Sequence, residues 1–275
     1  MQIGVALSGG AVPKFACVGV IKALEEMDIE ISHIAGTSAG GIVAALYAYG
    51  YTPDQIADQL QKLSKSHIDV DWKGIGRRFL FFRRNLDGGV KGEKLQRLVH
   101  QMTGNDDFSA CQIPCAVSVT DLRTQKTMAI SSQKVRNYET ILDMPIDEAV
   151  RASASIPVMY QPVRWKDYIF IDGGMLKNCP VDIVQGLGAD KVLAVDPVSS
   201  YSQKETFDDL STILSQSMNI LLEAQMKEDH KKAELCLKPD LGDTGLFDFK
   251  RIAECVEKGY AYTKERKNDI MAVLS

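Results

Sequence analysis

A serine stands between two glycines, each two residues away, in Gly36-Thr37-Ser38-Ala39-Gly40. The pattern is G-x-S-x-G, which carries a serine on a sharp turn between a strand and a helix. Glycines at those offsets remove side chains that would clash in the turn. A helix opening after Ser38 points its positive end at the hydroxyl and favours alkoxide or oxyanion there. Ser38 is therefore a candidate nucleophile for acyl transfer. A second stretch, Ser8-Gly9-Gly10-Ala11, also follows an apolar run and opens a helical pattern. Its backbone N–H groups suit either an oxyanion hole or a bound phosphate. It is not G-x-G-x-x-G, because Ala11 and Lys14 stand where glycines belong, and it fails the P-loop spacing; a nucleotide site is poorly supported. A third stretch, Asp172-Gly173-Gly174, puts an acid at the end of an apolar run. The carboxyl ends of parallel strands are where active sites gather, although an ordinary Asp-Gly turn has the same appearance.

These residues need elements to position them. Residues 3–7 read as a buried strand entering the first glycine turn, and residues 14–27 carry helical periodicity. Residues 31–35 read as a second strand and 42–49 as a helix of small residues. Thr52-Pro53-Asp54 is a helix start, with cap, N1 proline and early acid. Strands are expected at 115–120, 127–131, 168–171, 191–195 and 235–237, and helices at 91–103, 147–155, 181–186, 205–233 and 249–272. Strand, turn and helix repeated this early imply an α/β fold with parallel strands in a covered sheet. The chain shows no internal repeat and no Pro/Ser-rich linker. One domain over 1–275 is the economical reading, with the motifs inside 1–200 and a helical part over 201–275.

The composition, 45% hydrophobic and 25% charged over 275 residues, is that of an ordinary globular chain. A net charge of −4 gives no footing for nucleic acid. Cys111 and Cys115 form a C-x3-C pair, but no second pair or nearby histidine completes a zinc set. The six cysteines read as free buried thiols of a reducing compartment. The N-terminus lacks the pattern of a signal peptide, and no run approaches the roughly 18 apolar residues of a membrane span. A cytoplasmic protein that touches membranes only from outside is expected, with no metal or other cofactor. The run Arg77-Arg78-Phe79-Leu80-Phe81-Phe82-Arg83-Arg84 is the candidate for that contact. Large apolar residues between arginine pairs suit interfacial insertion, with cations on headgroup phosphates. A core segment with outward arginines is the alternative.

Taken in order, the glycine loop, G-x-S-x-G and D-G-G resemble the patatin-like phospholipase family, in its small bacterial form. Further blocks fit: Gly19-Val20-Ile21-Lys22-Ala23-Leu24, Asp121-Leu122-Arg123, Arg151-Ala152-Ser153-Ala154-Ser155-Ile156-Pro157 and Pro239-Asp240. The resemblance implies a three-layer α/β/α sandwich with a mostly parallel central sheet. It implies a Ser38–Asp172 dyad without histidine and hydrolysis of acyl esters in phospholipids, lysophospholipids or simpler lipids. Gly9, Gly10, Ala11 and Ala39 are then the oxyanion donors, and Lys14 a candidate support for phosphate or oxyanion. Gly36, Gly40, Gly173 and Gly174 shape the two motifs. The first loop departs from the family's usual G-G-G-x-[RK]-G: Ala11 replaces the third glycine, the basic residue is displaced to Lys14, and Pro13 has no N–H. Of the four histidines, at 33, 67, 100 and 230, only His230 comes late enough for the Ser…Asp…His order of a triad. A transacylase using the same acyl-enzyme, and a non-catalytic lipid-binding regulator on the same fold, are the rival readings.

Overall fold

The computed structural model describes residues 1–64, 90–199 and 210–275, with side chains from residue 220 onward in the last stretch. Its centre is β1 (Ile3–Leu7), which lies between β2 (His33–Gly36) and β8 (Lys191–Val195), parallel to both. The other strands are β3 (Cys115–Asp121), β4 (Lys126–Ser131), β5 (Glu139–Ile141), β6 (Val163–Trp165), β7 (Tyr168–Asp172) and β9 (Leu235–Leu237). Among the described residues they form one sheet in the order β5-β4-β3-β2-β1-β8-β9, with β7 on β3 and β6 on β7. Most pairings are parallel; β3–β4, β3–β7 and β6–β7 are antiparallel.

Side chains alternate across a strand, and the sequence uses that alternation to tile the two faces differently. Val5, Leu7 and Ile34 enter one apolar cluster, whereas Ala6, Ala35, Ala116 and Ala194 enter another. Those four alanines lie in one register row, Ala194–Ala6–Ala35–Ala116. A row of methyl groups lets a helix lie close against that face. The cluster there includes Val181, Ile183, Val184 and Leu187 of the helix Val181–Leu187. On the face with larger residues lie α1 (Ala16–Glu25), α2 (Ala39–Tyr49) and α3 (Pro53–Gln61), followed by α4 (Glu93–Thr103) and α5 (Ile146–Ser153). The helix Val181–Leu187 is α6, and α7 (Leu210–His230), α8 (Ile252–Glu265) and α9 (Lys267–Leu274) complete the described helices. The architecture is the expected three-layer α/β/α sandwich around a mostly parallel sheet.

Several boundaries differ from expectation. Thr52 caps α3 through a full capping box with Gln55, as Thr-Pro-Asp foretold. The helix expected over 249–272 is two helices, because Arg266 leaves helical geometry at φ −90 and ψ 11. The short strands β5 and β6 were not foreseen. The strand leading to Asp172, read as parallel, runs antiparallel to β3. Phe79, Leu80, Phe81 and Phe82 lie outside the described residues, as does His67. Among the described residues no helix is long and apolar enough to cross a membrane.

Candidate active site

Two strands that share one side of β3 bring the serine and the acid together. β2 pairs with the first half of β3 and ends at Gly36, opposite Val117. β7 pairs with the second half from the opposite direction and ends at Asp172, opposite Val119. The carboxyl ends of β2 and β7 therefore meet head to head along β3. Ser38 follows one end and Asp172 is the other.

Ser38 has φ 52 and ψ −119, a backbone conformation that L-residues rarely adopt. Its surroundings hold it there. The Ser38 N–H donates to Ser153 Oγ at 2.9 Å, and Ser153 Oγ donates to Ser118 O at 2.8 Å. The Thr37 hydroxyl donates to Lys177 O at 2.9 Å, and the Thr37 N–H to Leu7 O at 3.1 Å. The two elbow glycines are required by close approach. A Cβ at Gly36 would stand 2.2 Å from Gly40 O, and one at Gly40 would stand 2.5 Å from Leu7 O. Ser153 carries no motif of its own in sequence beyond its place in the Arg-Ala-Ser block. Its role as the peg for the Ser38 amide is visible only in three dimensions.

Asp172 is buried. Its N–H donates to Ser155 O at 2.9 Å, and its Oδ1 accepts the Gly174 N–H at 2.7 Å. The Ser38 hydroxyl lies close enough to this carboxylate to help stabilise its charge. Burial pushes the carboxyl up from its ordinary 3.8 to about 6; the Gly174 N–H and the Ser38 hydroxyl offset part of that rise.

The glycine loop runs beside the elbow. Ser8 N–H donates to Val195 O at 3.0 Å and Gly9 N–H to Asn178 O at 3.2 Å, so neither is free for a ligand. Val12 N–H donates to Leu246 O at 3.0 Å. Gly10 and Ala11 have no acceptor for their N–H groups among the described residues, and neither does Ala39 at the first position of α2. The pair left open is thus Gly10 and Ala11 rather than Gly9. Ala11 has φ 57 and ψ −145, a positive-φ geometry that favours glycine.

Lys14, whose stem runs beside Gly10, is engaged at the end of β8. Its Nζ pairs with Asp196 and donates to Pro197 O at 2.6 Å. Asp196 also accepts the Ser8 hydroxyl at 2.9 Å, and His230 Nε2 stands 3.3 Å from it. Burial alone would raise the Asp196 carboxyl, yet Lys14 and His230 hold it well below the usual carboxylate range. The Lys14 charge is thus paired with Asp196 inside the fold. Asp196 follows β8, the strand beside β1, which explains the meeting; an acid directly after an apolar strand was the sequence signal for it. His33 meets Ser32 Oγ at 2.9 Å, and His100 lies 3.4 Å from Asp147. All three described histidines are thus engaged away from Ser38. Among the described residues no group of three or more His, Cys, Asp or Glu converges as a metal site. Four of the six cysteines are buried and free, whereas Cys111 and Cys236 are partly exposed.

The chain is similar to several known proteins. The chain is 27% identical to lysophospholipase nte1 of Aspergillus niger over 298 aligned positions, covering 96% of this chain and 18% of the fungal protein. It is 30% identical over 192 positions to the uncharacterized protein YqhO of Bacillus subtilis, covering 66% of each. The chain thus spans under a fifth of the length of the fungal lysophospholipases it matches. The fold is similar to VipD from Legionella pneumophila, with a TM-score of 0.55 at 16% identity, over 98% of this chain and 67% of that one. It is also similar to human GIVD cytosolic phospholipase A2 in complex with methyl gamma-linolenyl fluorophosphonate, with a TM-score of 0.52 at 12% identity, over 99% and 59%. The family model for patatin-like phospholipases matches residues 5–184, and the chain belongs to that family.

Proposed function

We propose that this chain is a serine acyl-ester hydrolase acting on phospholipids, lysophospholipids or related lipid esters, with Ser38 as nucleophile and Asp172 as base. The observation that carries the reading is the meeting of Ser38 and Asp172 at the facing carboxyl ends of β2 and β7, with the Asp172 carboxyl buried and pushed up to about 6. A free aspartate is a weak base. A rise of about two units makes Asp172 a stronger one, by on the order of 3 kcal/mol in proton affinity. Proton transfer to Asp172 then accompanies attack of Ser38 Oγ on the ester carbonyl carbon. The carbonyl oxygen takes the negative charge as the C–O π bond breaks. The Gly10, Ala11 and Ala39 N–H groups are the donors for it. Collapse of the tetrahedral intermediate expels the alcohol, which takes the proton from Asp172 and leaves an acyl-Ser38. Water, deprotonated by Asp172, attacks that ester, and the fatty acid leaves as Ser38 recovers its proton.

A long-chain alkyl fluorophosphonate tests this directly. The reading expects one covalent adduct, mapped by mass spectrometry to Ser38, with activity on lysophospholipid lost in step. A folded protein that binds lipid yet never labels would instead support the non-catalytic reading. Acyl transfer to an added alcohol in preference to water would support the transacylase.

A further inference from the structure

We infer that Asn178 is a positioning residue for the oxyanion donors: it fixes the direction of the Gly10 N–H. The inference rests on the hydrolase reading of Ser38. Asn178 lies between the Asp172 turn and α6, is 2% exposed, and grips Gly9 from both sides. Its carbonyl accepts the Gly9 N–H at 3.2 Å, and its Nδ2 donates to Gly9 O at 3.1 Å. Gly9 C=O and Gly10 N–H belong to one peptide plane. The Gly9–Gly10 peptide is trans, like the others among the described residues, so those two groups point in opposite directions. A donor that holds the Gly9 oxygen on one side therefore turns the Gly10 N–H to the other.

The loop needs such a hold. Gly10 has φ 142 and Ala11 has φ 57 with ψ −145, a region that is costly for alanine. Strained backbone persists only where its surroundings over-determine it. Asn178 is itself held from α7. Its N–H donates to Gln225 Oε1 at 2.8 Å, Gln225 Nε2 donates to Met175 O at 3.3 Å, and Met226 Sδ lies 3.1 Å from Asn178 Nδ2. Its Oδ1 fills the space between the two loops: a Cβ at Gly9 would meet it at 2.8 Å and one at Gly174 at 2.9 Å. Asp172 does not depend on this residue, since Gly174 and Ser155 hold it separately. A neutral amide is needed. A carboxylate of the same shape offers the Gly9 carbonyl no proton and repels its oxygen.

The test uses Asn178→Asp, which keeps the shape, and Asn178→Ala. The measurements are kcat and KM on lysophospholipid and the rate at which a long-chain alkyl fluorophosphonate labels Ser38. The phosphonyl oxygen occupies the oxyanion position, so labelling reports on the donors without turnover. Loss of one such donor costs about 10²–10³ in rate. Both variants should lose kcat and labelling rate together by that order, with KM held and the acidic side of the kcat/KM pH profile of Asn178→Ala unmoved. Wild-type labelling rates in a folded Asn178→Asp would overturn the role of Asn178 alone. So would a loss confined to KM, or one explained by a smaller folded fraction. A wild-type chain that never labels at Ser38 would overturn the nucleophile first and this inference with it. Gln225→Ala, which leaves position 178 intact, should show a smaller loss of the same kind, and an unchanged labelling rate there overturns the inference even if both position-178 variants misfold.

Discussion

To act as base, Asp172 must ionise where burial opposes its charge. The carboxyl has a folded pKa of about 6 against 3.8 ordinarily. A raised folded pKa stabilises the fold below about pH 4, and that stabilisation is lost as pH rises through about 6. At neutral pH the ionised Asp172 therefore works against folding. Asp172→Asn should abolish turnover yet raise stability at pH 7.5, by up to about 3 kcal/mol. Urea denaturation of the two proteins measures it, and an equally large fall in stability would count against a buried, ionised base. The same pKa sets the acid limb of kcat/KM, which should fall below about pH 6 rather than near 4. A pH profile on a soluble monomeric ester gives that limb without interference from lipid packing. At this scale the sequence was legible where chemistry needs a rare residue pattern. Ser38 and Asp172 announce themselves through their glycines. Asn178 does not, because a neutral amide before Cys179-Pro180 looks like any turn residue. The partner of Lys14 was hidden for a related reason: Asp196 is distant in sequence, and only the pairing of β1 with β8 brings them together.

The elements explain why the elbow tolerates so little change. Gly40 sits in the first turn of α2, against the backbone where β1 ends. A Cβ there would meet Leu7 O at 2.5 Å and Ser8 O at 2.6 Å, both main-chain atoms that cannot swing away. Gly40→Ala should destabilise the fold by about 1–3 kcal/mol and lower kcat more than KM, because the same shift moves Ser38 and the glycine loop apart. Thermal unfolding with steady-state kinetics checks both halves. An unperturbed Tm with full activity would show the elbow to be looser than these contacts require. Strand–turn–helix units were readable because each is local: an apolar run, glycines, then helical spacing. The head-to-head meeting of β2 and β7 on β3 was not. Strand direction is decided by long-range pairing, and 168–171 reads the same either way. β5 and β6, three residues each, are too short to carry a period.

Across the whole molecule, the site depends on chain well beyond its motifs. The family match ends at residue 184, yet β8 lies beside the central strand, Asp196 braces Ser8 and Lys14, and α7 supports Asn178. Asp196→Ala would leave the Lys14 ammonium inside the protein without its counter-charge. Breaking a buried pair on one side costs about 3–5 kcal/mol, so this variant should unfold at markedly lower urea, and Lys14→Met combined with it should recover part of the loss. No recovery in the double variant would mean that Asp196 serves Ser8 or His230 more than Lys14. Hydrolysis, in this proposal, stands on one side chain. Ser38→Ala removes the hydroxyl beside Asp172 and little else, so the variant should keep the wild-type fold by circular dichroism. Fatty-acid release from lysophospholipid, followed at pH 8 with equal amounts of folded protein, should then fall to the uncatalysed background. Release at the wild-type rate from folded Ser38→Ala would contradict the assignment of Ser38 as nucleophile.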